Sequence, residues 1–600
     1  MLDNETLHTF DRRGALVFTG VGVCTFLIFA RMLQMQVFQY KKYRRISDNN
    51  ATRTVVIPPT RGRILSSTGA QLAKDESVYR VFFIPEESDN IEQSISEFTK
   101  PLELSDKEID KIRTTIKRQM PFQPVVLRTG IKWEKLAALK STNIPGLHIE
   151  PGFARRYPGK TLAAHVLGYV ASRETATQTR RSDTSPFFMH GVAGLEKTQN
   201  DILGGQPGFA ATLVDATGRV LPDEVAEYRA PVDGHDVTTT INDEVQRAME
   251  AAMKKTDAGG AVAIKIETGE ILACASNPAF NADEFRGMGS ADYMADLRNN
   301  PLKPFMNKTI EGLYPPGSTF KIVVALAALE SGLVSPTEKI NCPGFWEYGK
   351  HRYHCWEKKG HGPVDMIGAL KHSCDVYFYQ IALRIGIDVI KDMAARLGVA
   401  ETFDLEIPGE VAGVIPDRAW KQKRIGASWV HGDTIIAGIG QGYVLANIMS
   451  LCVMAARAAS NRAVVPHIVK DKGTKGQKNE GFMNINLNPD NIKIVMEGMK
   501  QVMEPRGTAA GNAININGAR MGGKTGTSQV RRISAAERAS GVRTQEELDR
   551  MLRNHGLFVG VAPIDNPKYA VAAITEHSGG STQAAYIAAQ TMAEILRRQP

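Results

Sequence analysis

Six hundred residues is about four times a typical ~150-residue domain, so more than one folding unit is expected. A chain that is 43% hydrophobic and 23% charged can bury a large core, which excludes a disordered chain and a collagen-like fibre, and six cysteines cannot staple a fold of this length. The 73 basic and 64 acidic residues leave a net charge of +9, mild enough to suit an anionic cell surface as well as nucleic acid.

Residues 14–30 are 17 uncharged, mostly apolar residues between Arg12-Arg13 and Arg31. As a helix rising ~1.5 Å per residue they span about 26 Å, near the short end for a bilayer, and residues 32–40 extend the apolar character. A cleaved signal peptide is the alternative, but Ala30 is followed by Arg31 and Met32 rather than by a small-x-small site. The expectation is an uncleaved, single-pass anchor over 14–37 after a stub of 1–13. Arg31, Lys41, Lys42, Arg44 and Arg45 follow the span, so positive-inside counting alone would put the large domain in the cytoplasm.

Further along, residues 79–84 (YRVFFI) and the VVL of 125–127 read as strands within a polar, helix-prone stretch over 85–145, a small α/β insertion. Residues 241–255 carry Val245, Ala248 and Met249 on one helical face. Residues 260–266, a Glu267–Gly269 turn and residues 270–275 form a hairpin signal; 556–562 and 569–575 read as two buried strands. Sheet strands at both ends with helices between predict an α/β sandwich from about 231 to 600, after a separate domain over 38–230. Residues 531–554 are charged, with a helix-like EELDRML, and read equally as a surface excursion or a lid.

Tyr314-Pro315-Pro316-Gly317 breaks preceding structure, and Ser318-Thr319-Phe320-Lys321 opens a helix whose residues 322–329 (IVVALAAL) are apolar on every side, hence buried. Ser318 and Lys321 share a face in the first turn. Burial and the positive end of the helix disfavour a charged lysine there, and a neutral amine beside a hydroxyl is a base for a nucleophile. Ser-x-x-Lys alone is also a serine cap beside a surface lysine. Here Ser373-Cys374-Asp375 follows by 55 residues and Lys524-Thr525-Gly526 by a further 151, in the order of an acyl-serine motif set. Gly522 and Gly523 allow a peptide to approach a strand edge, and Thr525 and Thr527 offer hydroxyls for a terminal carboxylate. Strict alternation puts Lys524 on the face opposite both threonines.

These motifs resemble the class B penicillin-binding proteins, within them the elongation-type penicillin-binding protein 2 group. The resemblance extends to Pro59-Thr60-Arg61-Gly62-Arg63-Ile64, Arg156-Tyr157-Pro158, Gly194-Leu195-Glu196-Lys197, Trp420-Lys421-Gln422-Lys423-Arg424, Gly438-Ile439-Gly440-Gln441-Gly442-Tyr443 and His555-Gly556-Leu557-Phe558-Val559-Gly560. It implies a mixed α+β / α/β multidomain protein: a single transmembrane helix (14–37), a non-catalytic α/β pedestal (38–230) and a transpeptidase domain (231–600) with an antiparallel sheet sandwiched by helices. It implies an extracytoplasmic catalytic domain on the inner membrane, against the charge count, since long domains translocate largely regardless of flanking charge. The implied activity is D,D-transpeptidation of peptidoglycan stem peptides through a serine acyl-enzyme that β-lactams also form. Ser318 is then the nucleophile, Lys321 its base, and Ser373 a proton relay near Lys524. Asp375, Thr525, Gly526 and Thr527 bind substrate, and the Ser318 and Thr527 N–H groups form the oxyanion hole. Implied partners are a SEDS-type glycosyltransferase and other elongation proteins, with no nucleic acid. Asp375 departs from the family's usual Asn, and its charge would pair with Lys321 or Lys524. A D,D-carboxypeptidase, and a morphogenetic scaffold or β-lactam sensor with a vestigial site, are the competing readings.

Cys342, Cys355 and Cys374 fall within 33 residues, among His351, His354, His361 and His372. Cys342, Cys355, His361 and Cys374 make a Cys₃His set suited to structural zinc, with His354 the alternative fourth ligand. Some members of the resembled group carry zinc beside this motif. A Cys342–Cys355 disulfide and free buried thiols remain open.

Overall fold

The computed structural model describes residues 4–40, 52–131, 139, 144–172, 189–214, 220–285, 290–470, 481–531, 533, 537 and 540–598. The basic flank at 41–45 lies outside them. The chain divides into two compact units, one of residues 1–59, 179–188 and 206–233, the other of 60–178, 189–205 and 234–600.

The first unit carries one long helix, Asn4–Leu33, and the stretch Gly14–Phe38 is apolar and long enough to cross a membrane. Leu16, Phe18, Phe26 and Phe29 on it are exposed, as a lipid-facing surface requires. Its other element is a three-stranded antiparallel sheet, with Gly208–Val214 between Thr52–Ile57 and Val220–Arg229.

The second unit begins with a five-stranded sheet, two of whose strands are the short Ile64–Leu65 and Val237–Thr238. Strand Gln71–Phe83 pairs antiparallel with Val125–Ile131 and, over ten residues, with Leu147–Arg156. It is longer than its apolar YRVFFI segment because that second partner supplies backbone bonds to the polar Lys74–Ser77 half. Helices Ile91–Leu102 and Asp106–Arg118 pack on it through Ile95, Phe98 and Ile112; Asn90 caps the first, and Ser105 with Glu108 forms a capping box on the second. Three motifs that are far apart in sequence meet in one buried charge cluster. Glu196, fully buried, accepts from Arg61 Nε at 2.6 Å and Arg155 Nε at 2.7 Å. Asp75 accepts from Arg61 N at 2.9 Å and Arg155 Nη1 at 3.2 Å. Two carboxylates thus neutralise two guanidiniums that burial would otherwise penalise heavily.

The rest of the unit is a five-stranded sheet with helices on both faces. We label its elements in chain order: α1 (Asp243–Met253), β1 (Gly259–Lys265), β2 (Ile271–Asn277), α2 (Lys321–Glu330), α3 (Asp375–Ile385), α4 (Ile448–Ser460), β3 (Gly522–Ser528), β4 (His555–Ala562), β5 (Tyr569–Thr575) and α5 (Thr582–Arg597). The strand order is β2-β1-β5-β4-β3, antiparallel throughout. Alternation sorts the side chains. Ala261, Ala263, Phe558 and Val571 face α1 and α5, whereas Val262, Ile264, Leu557 and Val559 face the core shared by α2, α3 and α4. Lys321 to Leu329 of α2 are all buried, which explains a helix with no polar stripe. Strand β3 is the sheet's edge, so one side of its backbone is unpaired with any strand. The EELDRML segment forms only a short 3-10 turn at Arg550–Leu552. Side chains intercept its backbone: Glu547 Oε2 accepts from Thr544 N at 2.6 Å, and Gln545 Oε1 from Asn554 N at 2.8 Å.

Candidate active site

Three chain segments converge beside the open edge of β3. The first is the turn Gly317–Phe320, a 3-10 segment that leads into α2. In 3-10 geometry side chains at i and i+3 eclipse, so half-buried Ser318 and fully buried Lys321 lie along one line. Gly317 has φ +55°, and a Cβ there would stand 2.4 Å from the Thr527 carbonyl oxygen, so only glycine allows the turn to touch the strand.

The second segment is Ser373-Cys374-Asp375. Ser373 adopts φ +53°, a strained conformation for a non-glycine residue, in the turn that ends the helix Met366–Lys371. Cys374 is the N-cap of α3 and Asp375 its first residue. The turn points three neighbouring side chains to different tasks. Lys321 Nζ donates to Asp375 Oδ1 at 2.7 Å, to the Ser373 carbonyl at 2.8 Å and to Ser373 Oγ at 3.3 Å. Asp375 Oδ2 accepts from the Trp356 backbone N–H at 3.0 Å. The aspartate therefore supplies a counter-charge to Lys321 and ties the preceding hairpin, Phe345–Tyr348 with His351–His354, to the reaction centre.

The third segment is β3. Lys524 is fully buried; its Nζ donates to Ser373 Oγ at 2.8 Å and to the Thr525 carbonyl at 3.2 Å. Register explains how it reaches the serine. Lys524 pairs with Val559, which faces α2, whereas Thr525 pairs with Phe558 on the opposite face, and the Thr525 hydroxyl bonds Thr508 Oγ1 at 2.8 Å. Burial, then the positive charge of Lys321, push the Lys524 ammonium well below its usual value, against the pull of Asp375. Lys321 faces a carboxylate directly and Lys524 does not, so Lys524 is the amine whose neutral form the site favours. A Cβ on Gly526 would meet the Pro316 carbonyl and Thr319 at 2.9 Å, so the glycine lets the strand lie flat on the nucleophile's turn.

Cys342, Cys355, His361 and Cys374 offer donor atoms all within 4.8 Å of one another. His361 Nδ1 is 3.6 Å from both the Cys342 and the Cys355 sulfur. A tetrahedral zinc with bonds of about 2.3 Å to sulfur and about 2.0 Å to nitrogen needs those edges near about 3.5 Å. The donor set therefore fits a closed tetrahedral metal centre. The cysteines are free thiols, and His354 lies outside the group, on the exposed hairpin strand. Hydrogen bonding, chiefly from the Cys374 thiol and also from His361, pulls the Cys355 thiol down to about 3, and the same contact with burial pushes Cys374 up. Four inward-facing donors that cannot all keep protons suit a cation.

A family model for the penicillin-binding protein transpeptidase domain matches residues 259–597, more than half the chain, and one for the penicillin-binding protein dimerisation domain matches 56–239. The chain belongs to the penicillin-binding protein family. It is of the penicillin-binding protein 2 type. Peptidoglycan D,D-transpeptidase MrdA of Acinetobacter baumannii is 31% identical over 95% of this chain and 86% of that protein. The penicillin-binding protein 2 chain of a Helicobacter pylori complex with MreC superposes with TM-score 0.75, at 26% identity, over 91% of this chain and 98% of that one. A chain from a peptidoglycan synthase complex that coordinates polymerization and crosslinking superposes with TM-score 0.68, at 27% identity, over 98% and 99%.

The structure brings Ser373, Lys321, Lys524 and Asp375 into one hydrogen-bonded set beside the Ser318 turn, and Cys342, Cys355, His361 and Cys374 into another. Sequence reading missed the Trp356–Asp375 tie and the bond from Gln441 Nε2 to the Thr527 carbonyl at 2.8 Å. Neither has a local signal: each joins a side chain to a backbone group that only the fold brings near.

Proposed function

We propose that this protein is a peptidoglycan D,D-transpeptidase, and that one proton shared between two lysines drives it. The observation that carries the mechanism is Ser373 Oγ held between Lys321 Nζ and Lys524 Nζ, with Asp375 balancing a single positive charge. Neutral Lys524 takes the Ser373 hydroxyl proton while Ser373 takes one from Lys321. Lys321, now neutral, accepts the Ser318 proton as Ser318 Oγ attacks the penultimate D-Ala carbonyl of a stem peptide. The Ser318 and Thr527 N–H groups stabilise the developing oxyanion. The proton returns through Ser373 to the departing D-Ala amine, leaving an acyl-serine. Attack by an amine of a neighbouring stem forms the cross-link; attack by water gives the carboxypeptidase side reaction. The open edge of β3 supports in-register binding of an extended peptide, with Thr525, Gly526 and Thr527 along it. β-Lactams acylate the same serine.

The remaining assignments rest on kinship and on the anchor. Residues 1–13 form a cytoplasmic stub, 14–37 the span, 38–230 the pedestal and 231–600 the periplasmic catalytic domain. Partners are MreC-like and SEDS-type glycosyltransferase proteins of the elongation machinery. Cys342, Cys355, His361 and Cys374 hold one structural zinc, which would fix the hairpin to the second motif and leave the acyl transfer to the protein's own groups. Mass spectrometry of the full-length chain after penicillin treatment tests the reading. The adduct is expected on Ser318 and absent from Ser318→Ala; a scaffold with a vestigial site would take up no label.

A further inference from the structure

Two consecutive residues, Gly440 and Gln441, touch both halves of the site where the carbonyl oxygen of the substrate must become negative. The Gly440 carbonyl accepts from Gly317 N at 2.9 Å. Gly440 has φ +68°, and a Cβ there would lie 2.3 Å from the Gly317 carbonyl oxygen. That oxygen shares a planar peptide unit with the Ser318 N–H, which points the opposite way. Pinning the Gly317 carbonyl against Gly440 therefore aims the Ser318 N–H away from it. Ser318 stands in the first turn before α2, where backbone N–H groups have no intrahelical acceptor.

Gln441 acts on the other half. Its Nε2 donates to the Thr527 carbonyl. In an antiparallel ladder a residue either exchanges both bonds with its opposite number or turns both N–H and C=O outward. The Thr527 carbonyl is taken by Gln441, and Gly317 lies against it, so Thr527 turns its backbone to the outer edge of β3, not to Gly556 opposite. Two residues back, the Thr525 carbonyl also faces outward, to Lys524 Nζ. The Thr527 N–H is thus on the reacting side, and the Gln441 amide fixes the orientation of its residue near the end of an edge strand whose outer side no strand restrains.

We propose that Gly440-Gln441 is the brace of the oxyanion hole, with Gln441 a positioning residue that holds the Thr527 N–H in place for the acylation and deacylation steps. The inference rests on Ser318 being the acylated serine. Gln441 is only half-buried, so its replacement opens no core cavity. Its partner is a backbone oxygen, so Gln441→Glu keeps the shape and removes the donor, while Gln441→Ala removes both.

The test uses full-length protein in detergent and a fluorescent penicillin, resolving the dissociation constant of the non-covalent complex from the first-order acylation constant. Thermal melting is measured alongside. Removing a directly bonding oxyanion donor costs about 10²–10³-fold in rate, so loosening one is expected to cost about 10- to 100-fold. The expected result is that loss in the acylation constant for both variants, with Glu at least as impaired as Ala, the dissociation constant within about threefold and melting unchanged. A defect confined to the dissociation constant, a melting loss that accounts for the rate, or wild-type behaviour in Gln441→Glu would overturn the proposal while leaving Ser318 acylation standing. Absence of Ser318 acylation in the wild type would remove the underlying reading and the brace with it.

Discussion

Replacing Lys524 by methionine separates what this amine does for folding from what it does for the reaction. The side chain is fully buried, its acceptors among the described residues are Ser373 Oγ and the Thr525 carbonyl, and burial lowers its proton affinity. The unfolded chain binds that proton up to the usual ammonium value of about 10.4, whereas the folded chain binds it only at lower pH. Between those two values the unfolded state carries the extra proton, so stability rises with pH by about 1.4 kcal/mol per unit and is lost as pH falls towards the depressed folded value. Methionine has no such term. It forfeits two hydrogen bonds worth about 1 kcal/mol each, but it also removes the cost of stripping the buried amine of its proton, about 1.4 kcal/mol for each pH unit below the usual ammonium value. Urea unfolding of wild type and Lys524→Met at pH 7.5, 8.5 and 9.5 should therefore find the variant at least as stable at pH 7.5. Its advantage should shrink by about 1.4 kcal/mol per unit in the window above the folded value. Acylation by fluorescent penicillin should fall by about 10²–10⁴-fold, the usual contribution of a positioned acid–base group. A variant more than about 2 kcal/mol less stable, with a pH slope parallel to wild type, would mean that Lys524 is a charged anchor, and the shared-proton mechanism would fail.

Metal analysis of the full-length protein should find about one zinc per chain, and Cys355→Ser should lower that content while increasing proteolytic cleavage of the hairpin around residues 345–354. Metal-free wild-type protein with an equally protected hairpin would refute the site. Glu196→Ala leaves Arg61 and Arg155 facing each other without their shared carboxylate, a loss expected near 3–5 kcal/mol and visible as a lower unfolding midpoint. A change under about 1 kcal/mol would show that the cluster is not the joint it resembles.

Much of the core was legible because the patterns were redundant. Helix α2 is apolar on every face and is buried on every face, and residues 569–575 form β5 within the bounds that their continuous apolar run marks. The motif order singled out Ser318, Ser373 and Lys524, and the fold brings Lys524 onto Ser373 beside the turn that carries Ser318. What stayed hidden depended on register and on long-range backbone contacts. Lys524 and Thr525 lie on opposite faces of β3, as alternation requires, and only the register with Val559 and Phe558 shows which face meets α2. Asp375 reads as an awkward substitution until its second oxygen is seen on Trp356 N. The charge cluster was not legible from the motifs around Arg61 and Glu196, since nothing local tells Arg61 that Glu196 will be its partner 135 residues away.

An enzyme that grips its substrate along the rim of a sheet keeps a docking strip for extended chains in permanent readiness. Any flexible polypeptide could stick there. The strip in this protein is seven residues long, and its three glycines are buried against Ile564, Phe558 and the Pro316 carbonyl, with no room behind them for a side chain. At its foot the inward amine-bearing stem of Lys524 meets Ser373 instead of lining the rim with grease. The rim is thus bedded directly on the body of the protein, and a substitution that fattened those glycines would lift the strand off its support before it changed what the rim can hold.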